Sequence, residues 1–313
     1  MIERLDAYSS LEQSIGIKND FLLQDNKAIK QGNIFGKCLM CGHEVLFEIN
    51  HANLRESVRC PICKAYNRQR QIIAILSYEL YGEIYDLKTI VSKMRKGTKI
   101  LILESMSNFA EALKFYGGDR ISITDTEFIS NKLKSREKGS SGITHLDIHD
   151  TGYPSDCFDI ILHADVFEHV YDAPKAEAEQ VRILKNEGLI VYTAPFIETI
   201  KKDDVRTIVI NNKLKMLKKA IYHGDPAPRE DVDISEGCIV FRIFSFPETL
   251  NRYSMIKALL VVRHLYATKY GIIGNNAYIF VVRKNGHKIH KPKTSSFGGW
   301  WQVIKDKLLL SRR

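Results

Sequence analysis

The stretch from Cys157 to Phe196, CFDIILHADVFEHVYDAPKAEAEQVRILKNEGLIVYTAPF, constrains the fold more than any other part of the chain. Phe158-Asp159-Ile160-Ile161-Leu162 is a short apolar run suited to a strand buried on both faces. Asp172 with Pro174 predicts the start of a helix, and Ala173, Ala176, Val181 and Leu184 recur at helical spacing until Gly188 stops it. Leu189-Ile190-Val191-Tyr192-Thr193 is a second apolar strand. Strand, helix and strand in this order make one crossover unit of a parallel sheet, so the chain is committed to an α/β architecture.

At 313 residues the chain has room for one large α/β core and a small accessory module. No segment approaches the roughly 18 to 20 uninterrupted apolar residues of a membrane span. Glu3, Arg4 and Asp6 interrupt any signal peptide, so a cytoplasmic protein is expected. The formal charge of +9 is concentrated at one end. Between Arg283 and Arg313 nine lysines and arginines face one acid, Asp306, a charge of +8, which leaves +1 for all other residues. The body of the protein therefore carries no basic footprint of the kind that nucleic-acid binding requires.

Four cysteines define a second feature. Cys38-Leu39-Met40-Cys41 and Cys60-Pro61-Ile62-Cys63 are two CxxC knuckles separated by eighteen residues. Each knuckle points two thiolates at one ion, and two knuckles complete a tetrahedron with no open position, so Cys38, Cys41, Cys60 and Cys63 are predicted to hold a structural zinc. Val45-Leu46-Phe47-Glu48-Ile49 alternates like a strand, which suggests a zinc ribbon whose small core depends on the metal. Disulfides are disfavoured in a chain that is not exported. Cys157 and Cys238 lie outside any knuckle and read as core cysteines.

The marks that carry a family resemblance lie in the opening stretch: the Phe158-Asp159 pair that begins the strand, the run Asp165-Val166-Phe167-Glu168-His169-Val170, the turn Leu184-Lys185-Asn186-Glu187-Gly188, and the close in Ala194-Pro195-Phe196. Together they resemble the C-terminal half of the cofactor domain of class I S-adenosylmethionine-dependent methyltransferases. The resemblance implies a doubly wound, Rossmann-like, mostly parallel sheet with S-adenosylmethionine at the carboxyl ends of its strands. Taken without its neighbours, Glu168-His169 also admits the plainer reading of a solvated helix start.

Residues 1–36 carry no motif, though Leu5, Leu11 and Ile15 suit a helix. Residues 1–66 are assigned to an N-terminal segment and zinc ribbon, and 67–96 to a helical bridge. In the bridge Ile72, Ile73, Leu76 and Leu80 lie on one face before Gly82, and Leu87, Ile90, Val91 and Met94 form a second apolar side. Arg68 and Arg70 either reach the substrate mouth or form a solvated helix start.

Residues 97–284 are assigned to the methyltransferase domain. Lys99 to Leu103 is its first strand, ending at Glu104. The resemblance places a glycine-rich turn here, whereas this chain has Glu104-Ser105-Met106-Ser107-Asn108-Phe109, without glycine. It implies cofactor contacts at Glu104, Ser105 and Ser107, and Asn108 with Glu111 suits a capping box. Arg120 to Thr124 is the second strand. Asp125 follows, twenty-one residues after Glu104, at the ribose-binding position, with Glu127 as second choice. Ile143 to Ile148 matches a third strand, with Asp147 and Ile148 at the adenine. His163, Ala164 and Asp165 close the fourth strand and are expected to line the methionine half of the cofactor. His169 is a candidate general base or a structural histidine.

Between Phe196 and Phe241 the regular pattern breaks, an insertion of about 197–240 over the site mouth. Leu214, Leu217 and Ala220 suggest a helix within it. Tyr222-His223-Gly224-Asp225-Pro226 looks like the loop of methyltransferases of surface-polysaccharide and other sugar pathways, which makes His223 and Asp225 candidates for substrate contact or proton abstraction. The expected acceptor is a sugar, a saccharide-linked molecule or another small molecule, methylated at oxygen or nitrogen. Two alternatives stay open: an RNA methyltransferase that uses the ribbon to hold RNA, and a non-catalytic binding protein. Residues 285–313 form a basic tail with Trp300 and Trp301, suited to a peripheral membrane contact at the inner face, an anionic partner, or packing on the domain. The oligomeric state is not legible in the sequence.

Overall fold

The structure, a computed structural model, describes residues 3–8, 22–104, 107–197, 199–211, 213–224, 229–230, 237–274 and 278–284. Ser105, Asp225 and the basic tail lie outside the described residues.

In chain order, β1 (Glu3–Tyr8) and α1 (Leu22–Gln31) precede a three-stranded ribbon, β2 (Asn33–Lys37), β3 (Glu44–Ile49) and β4 (Val58–Arg59), with the short α2 (Leu54–Ser57) between the last two. Two helices follow, α3 (Asn67–Tyr81) and α4 (Leu87–Lys93). Next come β5 (Lys99–Ile102), α5 (Asn108–Gly117), β6 (Ser122–Asp125), β7 (Phe158–Ala164), α6 (Ala173–Ile183) and β8 (Leu184–Thr193). Short strands β9 (Phe196–Ile197), β10 (Asp204–Val205), β11 (Thr207–Ile210), β12 (Lys213–Met216), β13 (Tyr222–His223), β14 (Cys238–Ile239) and β15 (Arg242–Ser245) lead to α7 (Phe246–Met255), β16 (Ala258–Ala267) and β17 (Tyr278–Lys284).

The main sheet has the order β6-β5-β7-β8-β17-β16-β1. The first four strands are parallel, β17 runs against them, β16 with them and β1 against, so the sheet is mixed with five of its seven strands in one direction. Successive residues of its strands serve opposite faces. Ile100 and Ile102 join a core with α3, α4, α5 and the ribbon, while Leu101 joins one with α6 and α7. This two-sided burial is what the continuous apolar runs of β5, β7 and β8 encode.

Several expectations are corrected. Leu5 belongs to a strand, because β1 pairs with β16 along the sheet edge. The third strand shrinks to isolated bridges, Glu127 with His145 and Lys138 with Thr144. α6 ends at Ile183, and Leu184 begins β8 opposite Phe158. Gly188 therefore lies inside a strand, beyond a register shift, with Glu187 taking the positive φ of 65°. Leu214 sits in the hairpin of β11 and β12, not in a helix, and is exposed. The cap of α5 is Ser107, whose hydroxyl accepts from Ala110 N at 3.2 Å, rather than Asn108.

Two buried arginine sites hold the front of the chain to the sheet. Glu79 on α3 pairs with Arg263 of β16 at 2.5 Å and with Arg283 of β17 at 3.1 Å. Arg70, fully buried, donates to Ala65 O, Val58 O, Tyr270 O and Gly271 O at 2.7 to 3.0 Å and covers the Phe47 ring at 4.1 Å. Burial draws its pKa down to about 10. Arg70 thus locks the ribbon to the turn after β16, so neither reading offered for it from the sequence holds.

Candidate functional site

The four parallel strands end on one edge of the sheet, which brings Glu104, Asp125, Asp165 and Ala194 to the same side. Helices and crossovers leave a crevice at such an edge, the general ligand position in open α/β sheets.

Asp165 is the most heavily engaged of these groups. It takes a positive φ of 54° immediately after β7, and its amide donates to Thr193 O at 3.0 Å. Its carboxylate accepts from Thr193 Oγ1 at 2.9 Å, from Arg68 at 2.7 Å and from Arg55. Burial alone would raise its pKa, but the two guanidinium groups more than reverse this and hold it well below the usual carboxylate range. Arg68 pairs also with Glu56 at 2.6 Å. Arg68 is therefore at the site, held by two carboxylates, and is not a solvated helix start. Arg55 and Glu56, on α2 beside the ribbon, carried no sequence signal.

Glu104 is in a different condition. Its Oε1 is sealed from solvent with no hydrogen-bond partner. Burial, only partly offset by Arg68, pushes its pKa up to about 8. A carboxyl oxygen sealed without a partner at the end of β5 is a group that a cation would stabilise.

Asp125 ends β6 and receives Lys114 Nζ at 2.7 Å. Asp147 accepts from His149 N at 2.9 Å, and its Oδ1 lies 2.7 Å from His149 Nδ1. Burial would raise its pKa, but the bonds from His149 bring it below the ordinary carboxylate value. Ile148 is buried beside it, and Ala164 is buried at the end of β7. Ser107 spends its hydroxyl on the α5 cap.

His163 departs from expectation. Its ring is fully buried, stacked on Tyr192 with centroids 4.7 Å apart and edge-on to Phe167, with Gln180 at 3.2 Å. Burial lowers its pKa to about 3, which makes it a neutral core residue whose side chain does not line the crevice.

His169 and His223 are brought together, with ring centroids 5.2 Å apart. His169 lies on the 3₁₀ turn Phe167–His169, and its Nδ1 donates to Ile239 O at 2.8 Å. His223 Nδ1 stands 3.6 Å from Glu168 Oε1, and His169 Nε2 stands 4.0 Å from the same oxygen. Glu168 is fully buried, contrary to the solvated reading, and neither carboxylate oxygen has a hydrogen-bond partner.

Away from the crevice, the sulfurs of Cys38, Cys41, Cys60 and Cys63 lie within 4.8 Å of one another. Cys38 and Cys63 are 3.6 Å apart and Cys41 and Cys60 3.9 Å, without a disulfide. A tetrahedron of thiolates around zinc, with bonds of about 2.3 Å, has edges of about 3.8 Å, so the donor set fits that ion. The knuckles close through Gly42 N to Cys38 O at 2.8 Å and Lys64 N to Cys60 O at 3.0 Å.

The family described as "Methyltransferase domain" matches residues 107–192. With that domain the chain is an S-adenosylmethionine-dependent methyltransferase. Among curated proteins none matches the sequence. Among solved structures, a chain of the complex between the Haloferax volcanii Trm112 methyltransferase activator and a methyltransferase is similar at 12% identity. That likeness has a TM-score of 0.37 and covers 70% of this chain and 94% of that one. An S-adenosylmethionine-dependent methyltransferase from Mesorhizobium loti is similar at 14% identity, with a TM-score of 0.37, over 63% of this chain and 95% of that one. Among the described residues no helix is long and apolar enough to cross a membrane.

Proposed function

We propose that the enzyme methylates an oxygen or nitrogen of a sugar, a saccharide-linked molecule or a related small polyhydroxylated acceptor, and that Cys38, Cys41, Cys60 and Cys63 hold a structural zinc. S-adenosylmethionine supplies an electrophilic sulfonium methyl. Glu104, with its unpartnered oxygen, receives the cofactor's amino-acid end, and Asp125 takes the ribose hydroxyls by sharing or releasing Lys114. Transfer then depends on the acceptor atom being held in line with the methyl group, and positioning of this kind supplies a large part of the rate.

The observation that carries the acceptor class is the charge state of the mouth. The arginines found there, Arg55 and Arg68, are both consumed by Asp165 and Glu56, while Glu168, His169 and His223 face the same space. Such a lining favours hydroxyl groups over phosphodiesters.

Calorimetric titration of S-adenosylmethionine and its demethylated product tests the cofactor site, with Asp125→Ala as control. Micromolar binding lost in the variant is expected, followed by methyl transfer to nucleotide sugars in an acceptor screen. Absence of binding by the folded chain would overturn the cofactor assignment. Tight, steeply salt-dependent RNA binding with methylation of RNA and not of sugars would overturn the acceptor class.

A further inference from the structure

Buried carboxylates are costly unless a cation or hydrogen-bond donors compensate them. Glu168 lacks such donors: its side chain is fully buried, neither oxygen has a hydrogen-bond partner, and the groups paired with it are two imidazoles, His223 at 3.6 Å and His169 at 4.0 Å. Its position is fixed nonetheless, because Phe241 N donates to its carbonyl at 2.7 Å. Arg55 and Arg68, the nearby guanidinium groups, direct their hydrogen bonds to Asp165 and Glu56 instead. What does face Glu168 is the pair of imidazoles of His169 and His223.

We propose that Glu168, His169 and His223 form a binding site for a divalent transition cation at the substrate mouth. One donor atom from each of the three lies within 4.8 Å of the others, and the two distances to Glu168 Oε1 are 3.6 and 4.0 Å. Donors bound to a common ion at about 2.1 Å stand roughly 3.0 to 3.4 Å apart, so side-chain shifts on the order of an ångström close the site. The second sphere is in place. His169 Nδ1 donates to Ile239 O, which fixes the tautomer and leaves Nε2 with its lone pair toward Glu168. Two imidazoles and one carboxylate select the Mn²⁺ to Zn²⁺ series over Mg²⁺ or Ca²⁺ and leave coordination positions open.

Those open positions assign the cation a task. An acceptor hydroxyl bound there loses its proton to solvent water more readily, and the oxygen is held for attack. The new carbon–oxygen bond forms as the carbon–sulfur bond of the sulfonium breaks, and the neutral thioether leaves. Two adjacent hydroxyls of a sugar suit two adjacent open positions. This role rests on the methyltransferase reading, whereas the metal site rests only on the three side chains.

The test is titration of CoCl₂ into the full chain with its four-cysteine site already loaded with zinc, followed by visible absorption and calorimetry. Expected is saturable binding of one Co²⁺ with the weak bands of nitrogen and oxygen ligation, no sulfur charge-transfer band, and zinc retained. Glu168→Gln and His223→Ala should each weaken it about tenfold to a hundredfold, with melting temperature and zinc content preserved, while Asp125→Ala binds Co²⁺ as wild type does. No saturable binding at millimolar Co²⁺ by the folded chain, or equal binding by all variants, overturns the site. Methyl transfer that neither needs the second metal nor responds to His223→Ala overturns the acceptor role alone. Loss of S-adenosylmethionine binding with Co²⁺ binding intact would strike the cofactor reading and leave the metal site standing.

Discussion

Arg68 and Asp165 meet at 2.7 Å although 97 residues separate them in the sequence. One stands on the first turn of α3, just past the second cysteine knuckle, and the other follows β7 at the ligand edge of the sheet. With Arg55 also on Asp165, the ribbon side of the molecule reaches into the crevice. The front module is thereby part of the site and not an appendage.

Asp165→Asn should cost about 3 kcal/mol of stability, because two largely buried guanidinium groups lose their shared counter-charge. Urea denaturation measures this. The folded pKa of Asp165 lies below its unfolded value, so the unfolded chain binds the extra proton. Its stabilisation is present above about pH 4 and is lost as pH falls further. The variant should therefore lose stability less steeply than wild type on acidification, and parallel slopes would refute the pairing.

Glu104 behaves in the opposite sense. Its folded pKa is raised to about 8, so the group favours folding below about pH 4 and that contribution is lost as pH rises toward 8. At neutral pH the free enzyme holds the proton, and binding of the cofactor's ammonium at Glu104, as proposed above, requires its release. Cofactor affinity should rise between pH 6 and about 8 by up to roughly tenfold per pH unit, with proton release seen as a dependence of the binding heat on buffer ionisation. Glu104→Gln should bind more weakly and without that dependence.

Elements with strong local signals were legible in the sequence, and relations set by tertiary packing were not. The apolar runs of β5, β7 and β8 and the cap of α6 by Asp172, which accepts from Lys175 N at 3.1 Å, were readable because local chemistry dictates them. The cysteine knuckles were readable from spacing alone. The burial of Glu168 was left open because a glutamate after a strand often faces water, and only tertiary packing, with Phe241 N on its carbonyl and His223 beside its carboxylate, decides it. His163 was misread because strand alternation leaves open which face is ligand-lined, and its stacking on Tyr192 settles that. Arg55 was invisible because nothing local marks a partner 110 residues away.

Gly271→Ala should destabilise the junction of ribbon and sheet by about 1 to 3 kcal/mol. Gly271 has a φ of 61°, and a Cβ there would meet the Phe47 ring at 2.4 Å. The ring is fully buried, with the Arg70 guanidinium over it at 4.1 Å, so its room to shift is small. Urea denaturation of the single variant and of Gly271→Ala with Phe47→Leu separates the two causes. The smaller side chain should recover the part due to the clash and leave the part due to the backbone.

Removal of the zinc proposed for the ribbon should propagate to the crevice. Released thiols no longer fix the knuckles, whose carbonyl neighbours Val58 O and Ala65 O hold Arg70. Structural zinc contributes on the order of 10 kcal/mol in isolated zinc-finger peptides, far more than so small a ribbon core supplies. Chelation, or Cys38→Ser, should release one zinc, lower the melting temperature and weaken S-adenosylmethionine binding as Arg55 and Arg68 lose their hold on Asp165. Zinc release followed with a chelating dye, together with calorimetry on the same sample, reads both effects. A zinc-free chain that melts and binds cofactor as before would show that the ribbon stands without its metal and that the crevice does not depend on it.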